Sequence, residues 1–253
     1  MRYRLVVFPC LVLFACVAAA ADVRILSAAS MRSVLTEVVP EFERSSGHRL
    51  LIDYDTMGRI DRRVAAGESP DFVIGSGQSV AALVERLRIE PSSQLILART
   101  GVGLAVPAGA PLPPIKSVED FKRALLDAKR VVYARPEGGG AAGIHVAKVI
   151  GDLGLNDAVA AKTRFGAGGD VAELVAAAGP GTLGLTQISE IVGKSYVQYV
   201  GPLPDSLQNY TVFAAGRPVG KESSAALQEF IAFLRTPRVI KAMKTNGMDV
   251  EVP

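Results

Sequence analysis

The stretch DVRILSAASMRSVLTEVVPEFERSS, residues 22–46, decides the fold: an apolar run, a turn of small and hydroxyl residues and a long amphipathic segment follow one another without a break. Residues 23–26 read as a strand, Ser30 as the N-cap of a helix, and the apolar spacing carries that helix to about residue 45. A strand passing directly into a helix is the opening of an α/β unit. The unit recurs. Residues 50–54 read as a strand, 56–58 as a turn and 59–66 as a helix with Ile60 and Val64 on its apolar side; residues 71–75 and 80–87 repeat the pair. Residues 94–106 form a long β-prone segment. PAGAPLPP, residues 107–114, then suits neither a helix nor an interior strand and reads as a loop near a crossover between lobes.

A second series follows, with strands expected at 130–134 and 182–186 and helices at 142–153 and 171–178. A late strand at 210–215 and two helices at 222–234 and 238–245, separated by Pro237 in the manner of a first-turn proline, close the chain. The expected architecture is two α/β lobes, each a mixed sheet flanked by helices. Residues 22–105 with 205–253 make the first lobe and residues 106–204 the second. Such proteins hold ligands in the cleft where strand ends and helix starts converge.

Outward from this core, the first 21 residues have the marks of a secretory signal peptide: Arg2 and Arg4, an apolar run from Leu5 to Cys16, and small-residue cleavage sites from Ala18 to Ala21. Export to the periplasm is the expectation. Leu13-Phe14-Ala15-Cys16 is close to a lipobox, which the bulky Phe14 fits poorly, and lipid attachment at Cys16 is the alternative. Cleavage after Ala21 removes both cysteines, so a chain of about 232 residues without disulfides must rely on its apolar core. With 49% hydrophobic and 6% aromatic residues the composition supports one. Of 28 Lys and Arg, two lie in the leader, leaving 26 against 25 acidic residues. A near-neutral chain argues against a nucleic-acid partner.

Chemistry concentrates at four strand-to-helix junctions: Ser27-Ala28-Ala29-Ser30, Thr56-Met57-Gly58, residues 138–143, and Gly166-Ala167-Gly168-Gly169-Asp170. Small residues there let helix N-terminal N–H groups face an anion, although Ser30 and Asp170 also read simply as N-caps. The run from Gly138 to Gly143 matches G-x-G-x-x-G, but no acidic residue ends the next strand at the distance a dinucleotide site requires. With two histidines, His48 in a polar surface turn and His145 one turn into a helix, no metal-ligand spacing exists, and Gly75-Ser76-Gly77 is not a nucleophile elbow. No cofactor is expected.

Ser27-Ala28-Ala29-Ser30, VAAGESPDFVIG (residues 64–75) and EGGGAAGIHVAKV (residues 137–149) together resemble the periplasmic molybdate-binding protein family across nearly the whole mature chain. The resemblance implies a type II periplasmic binding protein fold: two hinge-linked lobes that close over a ligand and present it to the membrane permease of an ABC importer. It further implies that Ser30 hydrogen-bonds an oxyanion and that Ala142 and Val171 supply backbone N–H donors. Thr56, Gly58 and Arg59 stand where the family carries a serine run, and Gln187 where it carries a tyrosine. Arg59 suits a carboxylate clamp or a surface ion pair with Asp55 or Asp61, and Arg135 has the same two readings. Gln187 offers both donor and acceptor, which suits an organic acid. The expected function is capture of a small anion, molybdate-like or carboxylate, by a monomer. Exported aconitate isomerases are also similar to molybdate receptors, so the alternative is an isomerase acting on a tricarboxylate, with His145 or Glu137 as proton carrier.

Overall fold

In the computed structural model, which describes residues 20–250, the opening unit forms as a strand, β1 (Asp22–Ala28), and a helix, α1 (Arg32–Ser46). Ser30 does not cap α1. It sits inside a 3-10 turn, Ala29–Met31, that fills the junction, so the helix starts one residue later than the spacing suggests and without a side-chain cap. β2 (Arg49–Asp55), α2 (Met57–Ala65), β3 (Phe72–Ser76) and α3 (Gly77–Glu85) complete the first series. The leader expected over residues 1–21, with Cys16, lies almost wholly outside the described residues.

The second series contains β4 (Leu95–Pro107), α4 (Val118–Asp127), β5 (Arg130–Ala134), α5 (Ala141–Asp152), α6 (Asn156–Ala160), β6 (Thr163–Gly166), α7 (Val171–Ala178), β7 (Thr182–Gln187), α8 (Ile188–Ile191) and β8 (Val197–Pro202). The chain ends with β9 (Tyr210–Gly216), α9 (Ala225–Leu234) and α10 (Pro237–Thr245). The periodicity reading passes over α4, although Ser117 caps it by accepting from the Asp120 N–H and Phe121, Ala124 and Leu125 are its buried face. It also passes over β6 and β8, whose surfaces are half open to solvent and lack a clear alternation.

Strand order is β2-β1-β3-β9-β4-β7-β5-β6, with β8 on the other side of the second half of β4. β1 lies parallel to β2 and β3, and β5 parallel to β6 and β7, while β9 and β4 run antiparallel to their neighbours. The thirteen-residue β4 belongs to both lobes. Up to Gly101 it pairs with β9, and from Val102 onward with β7 and β8. The crossing is therefore made inside a strand, and the proline-rich segment 107–114 lies beyond it at the far end of β4 rather than at the crossover.

The buried side chains follow this division, one cluster in the first lobe and two in the second, the smaller of these around Val132, Val171 and Val175. Val23, Ile25, Leu35, Phe42, Phe72 and Ile74 pack with Phe230, Leu234, Val239 and Met243 from the last helices, so the end of the chain returns to the first core. Leu104, Phe121, Val131, Val146 and Leu185 belong to the larger cluster of the second lobe. His48, expected in a solvated turn, is buried against the first lobe: its Nδ1 accepts from the Ala21 N–H at 3.2 Å, and its Nε2 is 3.6 Å from Glu229.

Candidate functional site

Between the lobes lies a half-open cavity of about 40 Å³, room for a few ordered waters at about 10–15 Å³ each. Helix starts surround it. Ala29 and Ser30 come from the turn before α1, Thr56 and Met57 from the start of α2, Ser76 from the cap of α3, residues 140–143 from the start of α5, and Gly168 and Gly169 from the loop before α7. The first N–H groups of a helix have no carbonyl one turn earlier to bond, and the helix dipole places partial positive charge on them. Among the lining residues there is no lysine or arginine, and the ionisable ones are Asp55 and Glu190.

Close packing holds these starts in place. A Cβ on Gly143 would lie 2.2 Å from the Ala134 carbonyl oxygen, so only glycine lets α5 begin this tightly against the end of β5. Across the cleft, a Cβ on Gly58 would lie 2.7 Å from the Gly139 Cα. The Gly58 N–H instead donates to the Gly139 carbonyl at 3.3 Å, and the Thr56 hydroxyl donates to the Gly138 carbonyl at 2.5 Å. The two lobes are thus hydrogen-bonded to each other over the cavity.

Of the residues singled out in the sequence, Ser30, Thr56, Ala142 and Gln187 line the cavity, while Gly58, Arg59 and Val171 do not. Gly58 is at the contact between lobes just described. Arg59 points along the outside of α2, where its Nη1 is 3.3 Å from Asp55 Oδ1, one helical turn back. Val171 is buried as the first residue of α7. Asp170 precedes it, but its carboxylate turns back into the loop and accepts from the Ala167 and Gly168 N–H groups at 3.1 and 3.0 Å. Those two donors are already occupied by an internal carboxylate. Arg135 is exposed, with its guanidinium 4.5 Å from the centre of the Phe165 ring.

The two residues considered as proton carriers lie elsewhere. His145 Nε2 is 2.7 Å from the Leu207 carbonyl oxygen, Glu137 is exposed, and neither lines the cavity. The carboxyl that does is Glu190, which the sequence reading leaves unassigned. It sits one turn past the end of β7, and the Thr186 and Ser30 hydroxyls both bond to it. Burial pushes the Glu190 carboxyl above the usual carboxylate range; the two hydroxyls oppose this, and the negative charges of Glu173 and Asp170 add to it. Beside it, Gln187 Nε2 donates to the Thr211 hydroxyl at 2.8 Å. The available signal was positional: Thr186-Gln187-Ile188-Ser189-Glu190 is a polar strand end followed one turn later by an acid.

A family model described as bacterial extracellular solute-binding protein matches residues 23–249. A curated relative, the aconitate isomerase of Pseudomonas sp, is 26% identical over 230 residues, covering 88% of this chain and 86% of that protein. Among solved structures, the periplasmic molybdate-binding protein of Azotobacter vinelandii superposes with a TM-score of 0.74 at 16% identity, covering 91% of this chain and all of that one. The sulfate-binding protein SubI of Mycobacterium tuberculosis H37Rv superposes with a TM-score of 0.73 at 18% identity, covering 92% of this chain and 88% of that one. Both structures share this chain's two-lobed α/β fold.

Proposed function

Because the chain belongs to the bacterial extracellular solute-binding protein family, we propose that it is a periplasmic receptor that captures a small anion in the cleft between its lobes. The observation that carries this reading is the convergence of several helix starts on one cavity that no lysine or arginine lines. Oriented N–H dipoles hold an anion without a full counter-charge. The lobes, taken as residues 22–105 with 205–253 and residues 106–204, close by hinge motion, and the cross-lobe bonds from Thr56 and Gly58 hold the closed form. A leader over residues 1–21 directs export, and the permease of an ABC importer receives the ligand. Titrating the purified protein with molybdate, tungstate, sulfate, citrate and both aconitates while following its melting midpoint tests the reading. An anion at 100 times its Kd adds about 2.7 kcal/mol of stability. If no anion in the series moves the midpoint, the reading fails.

A second reading is favoured by one feature, the Glu190 carboxyl in the cavity. A carboxyl displaced upward in pKa and placed against the ligand suits proton transfer between two carbons of an unsaturated tricarboxylate, the activity named for the 26% identical relative. Incubation with cis- and trans-aconitate tests it. Interconversion that is lost in Glu190→Gln while binding persists supports an isomerase, and no interconversion by the unmodified protein disposes of it.

A further inference from the structure

The corner of the cleft where β7 meets α8 holds a polar group that the ring of helix starts does not account for. Gln187 lines the cavity at 3% exposure; its Nε2 is tied to Thr211, and its Oε1 has no hydrogen-bond partner in the protein. Buried acceptors are ordinarily satisfied, and one left bare at a ligand cavity is matched by a ligand that brings a donor. Glu190, one turn on, borders the same cavity with one oxygen taken by the Thr186 hydroxyl. Sulfate, molybdate and a plain carboxylate carry only acceptors. They suit the helix-start N–H groups and leave Gln187 Oε1 facing lone pairs, whereas a hydroxyl donates and accepts through one oxygen.

Resting on the anion reading above, we propose that the ligand is a hydroxy acid, its carboxylate held by the N–H groups at residues 29–30 and 141–143 and its hydroxyl donating to Gln187 Oε1 while accepting from Glu190. The enclosure of Glu190 and its acidic neighbours Glu173 and Asp170 favour the neutral acid, the form with a proton to give. The remaining charged groups near this corner are engaged elsewhere: Asp55 with Arg59, Arg32 over the Tyr54 ring, and Arg99 over the Tyr210 ring.

Matched pairs that differ by one hydroxyl, malate with succinate and lactate with propionate, test this by calorimetric titration. The hydroxylated member of at least one pair is expected to bind about tenfold or more tightly. In Gln187→Met, a near-isostere without the acceptor, the preference falls to within about threefold. Should Gln187→Met fold poorly, Gln187→Leu is read in the same way. Acids that bind without regard to the hydroxyl, or a preference unchanged in Gln187→Met, overturn the inference and leave the anion reading standing. Sulfate or molybdate bound more tightly than any hydroxy acid does the same, because the amide then presents its N–H₂ to the ligand. If none of these anions binds, the anion reading itself fails and takes the inference with it.

Discussion

The starts of α2 and α8 border the same cavity, each with a hydroxyl or amide residue at the junction of strand and helix. They are used differently. At α2, Thr56 and Gly58 spend their donors on the carbonyls of Gly138 and Gly139, backbone of the opposite lobe. At α8, Gln187 keeps an acceptor bare and Glu190 a carboxyl against the cavity. One turn closes the molecule and the other is left for chemistry. A polar strand-to-helix junction therefore identifies a cleft without saying which of its polar groups remain available once the lobes have met.

The largest effect is expected at Gly58. A valine there would place its Cβ 2.7 Å from the Gly139 Cα and 3.0 Å from the Gly138 carbonyl oxygen, atoms that cannot give way as a flexible side chain would. Gly58→Val is expected to hold the lobes apart and weaken anion binding by about 100-fold, or 2.7 kcal/mol. The melting midpoint of the ligand-free protein stays nearly constant, because each lobe retains its own core. Unchanged affinity in a titration would show that capture does not bring these two turns together.

Glu190 sharpens the other side. Its folded pKa lies above the ordinary 4.5, so below that pH the group is protonated in both states and has no effect on stability. As pH rises past 4.5 the unfolded chain releases this proton while the folded chain keeps it. Stability therefore falls by up to about 1.4 kcal/mol per pH unit until the folded carboxyl ionises. Glu37 and Glu68, lowered chiefly by hydrogen bonds from Arg238 and Arg63, act in the opposite sense and are common to any variant of Glu190. Melting curves of the unmodified protein and Glu190→Gln from pH 4 to 8 are thus expected to diverge, the variant gaining relative stability with pH. Parallel curves would place the carboxyl in water.

The smallest effect belongs to Arg59. Its half-exposed pair with Asp55 across one helical turn is worth less than about 0.5 kcal/mol, so Arg59→Gln is expected to leave both melting midpoint and affinity almost unchanged. Loss of carboxylate binding in that variant would bring Arg59 into the cleft after all.

The fold was legible where pattern is local. β1, β3, α7 and α10 fall within about two residues of their expected places, because apolar periodicity and caps are properties of neighbouring residues. β6 and β8 escaped because half-open strands owe their existence to the strand beside them. The site was legible only as a set of junctions. The Thr56 bond spans 82 residues to Gly138, and Glu190 owes its environment to Ser30, far earlier in the chain, so no window of sequence contains either. His48 was misplaced for the same reason, since the N–H that reaches its ring belongs to Ala21, before β1.

The place of β9 in the sheet sets a timetable for folding. Among the described residues it alone bridges β3 and β4, yet it is made of residues 210–216, and the helices that cover the first core come later still. A chain of which only the first 200 residues have emerged from a ribosome therefore lacks the strand that joins β1, β2 and β3 to β4. The long-range pairing that completes the first lobe waits for the last fifth of the sequence, which is slow by contact order.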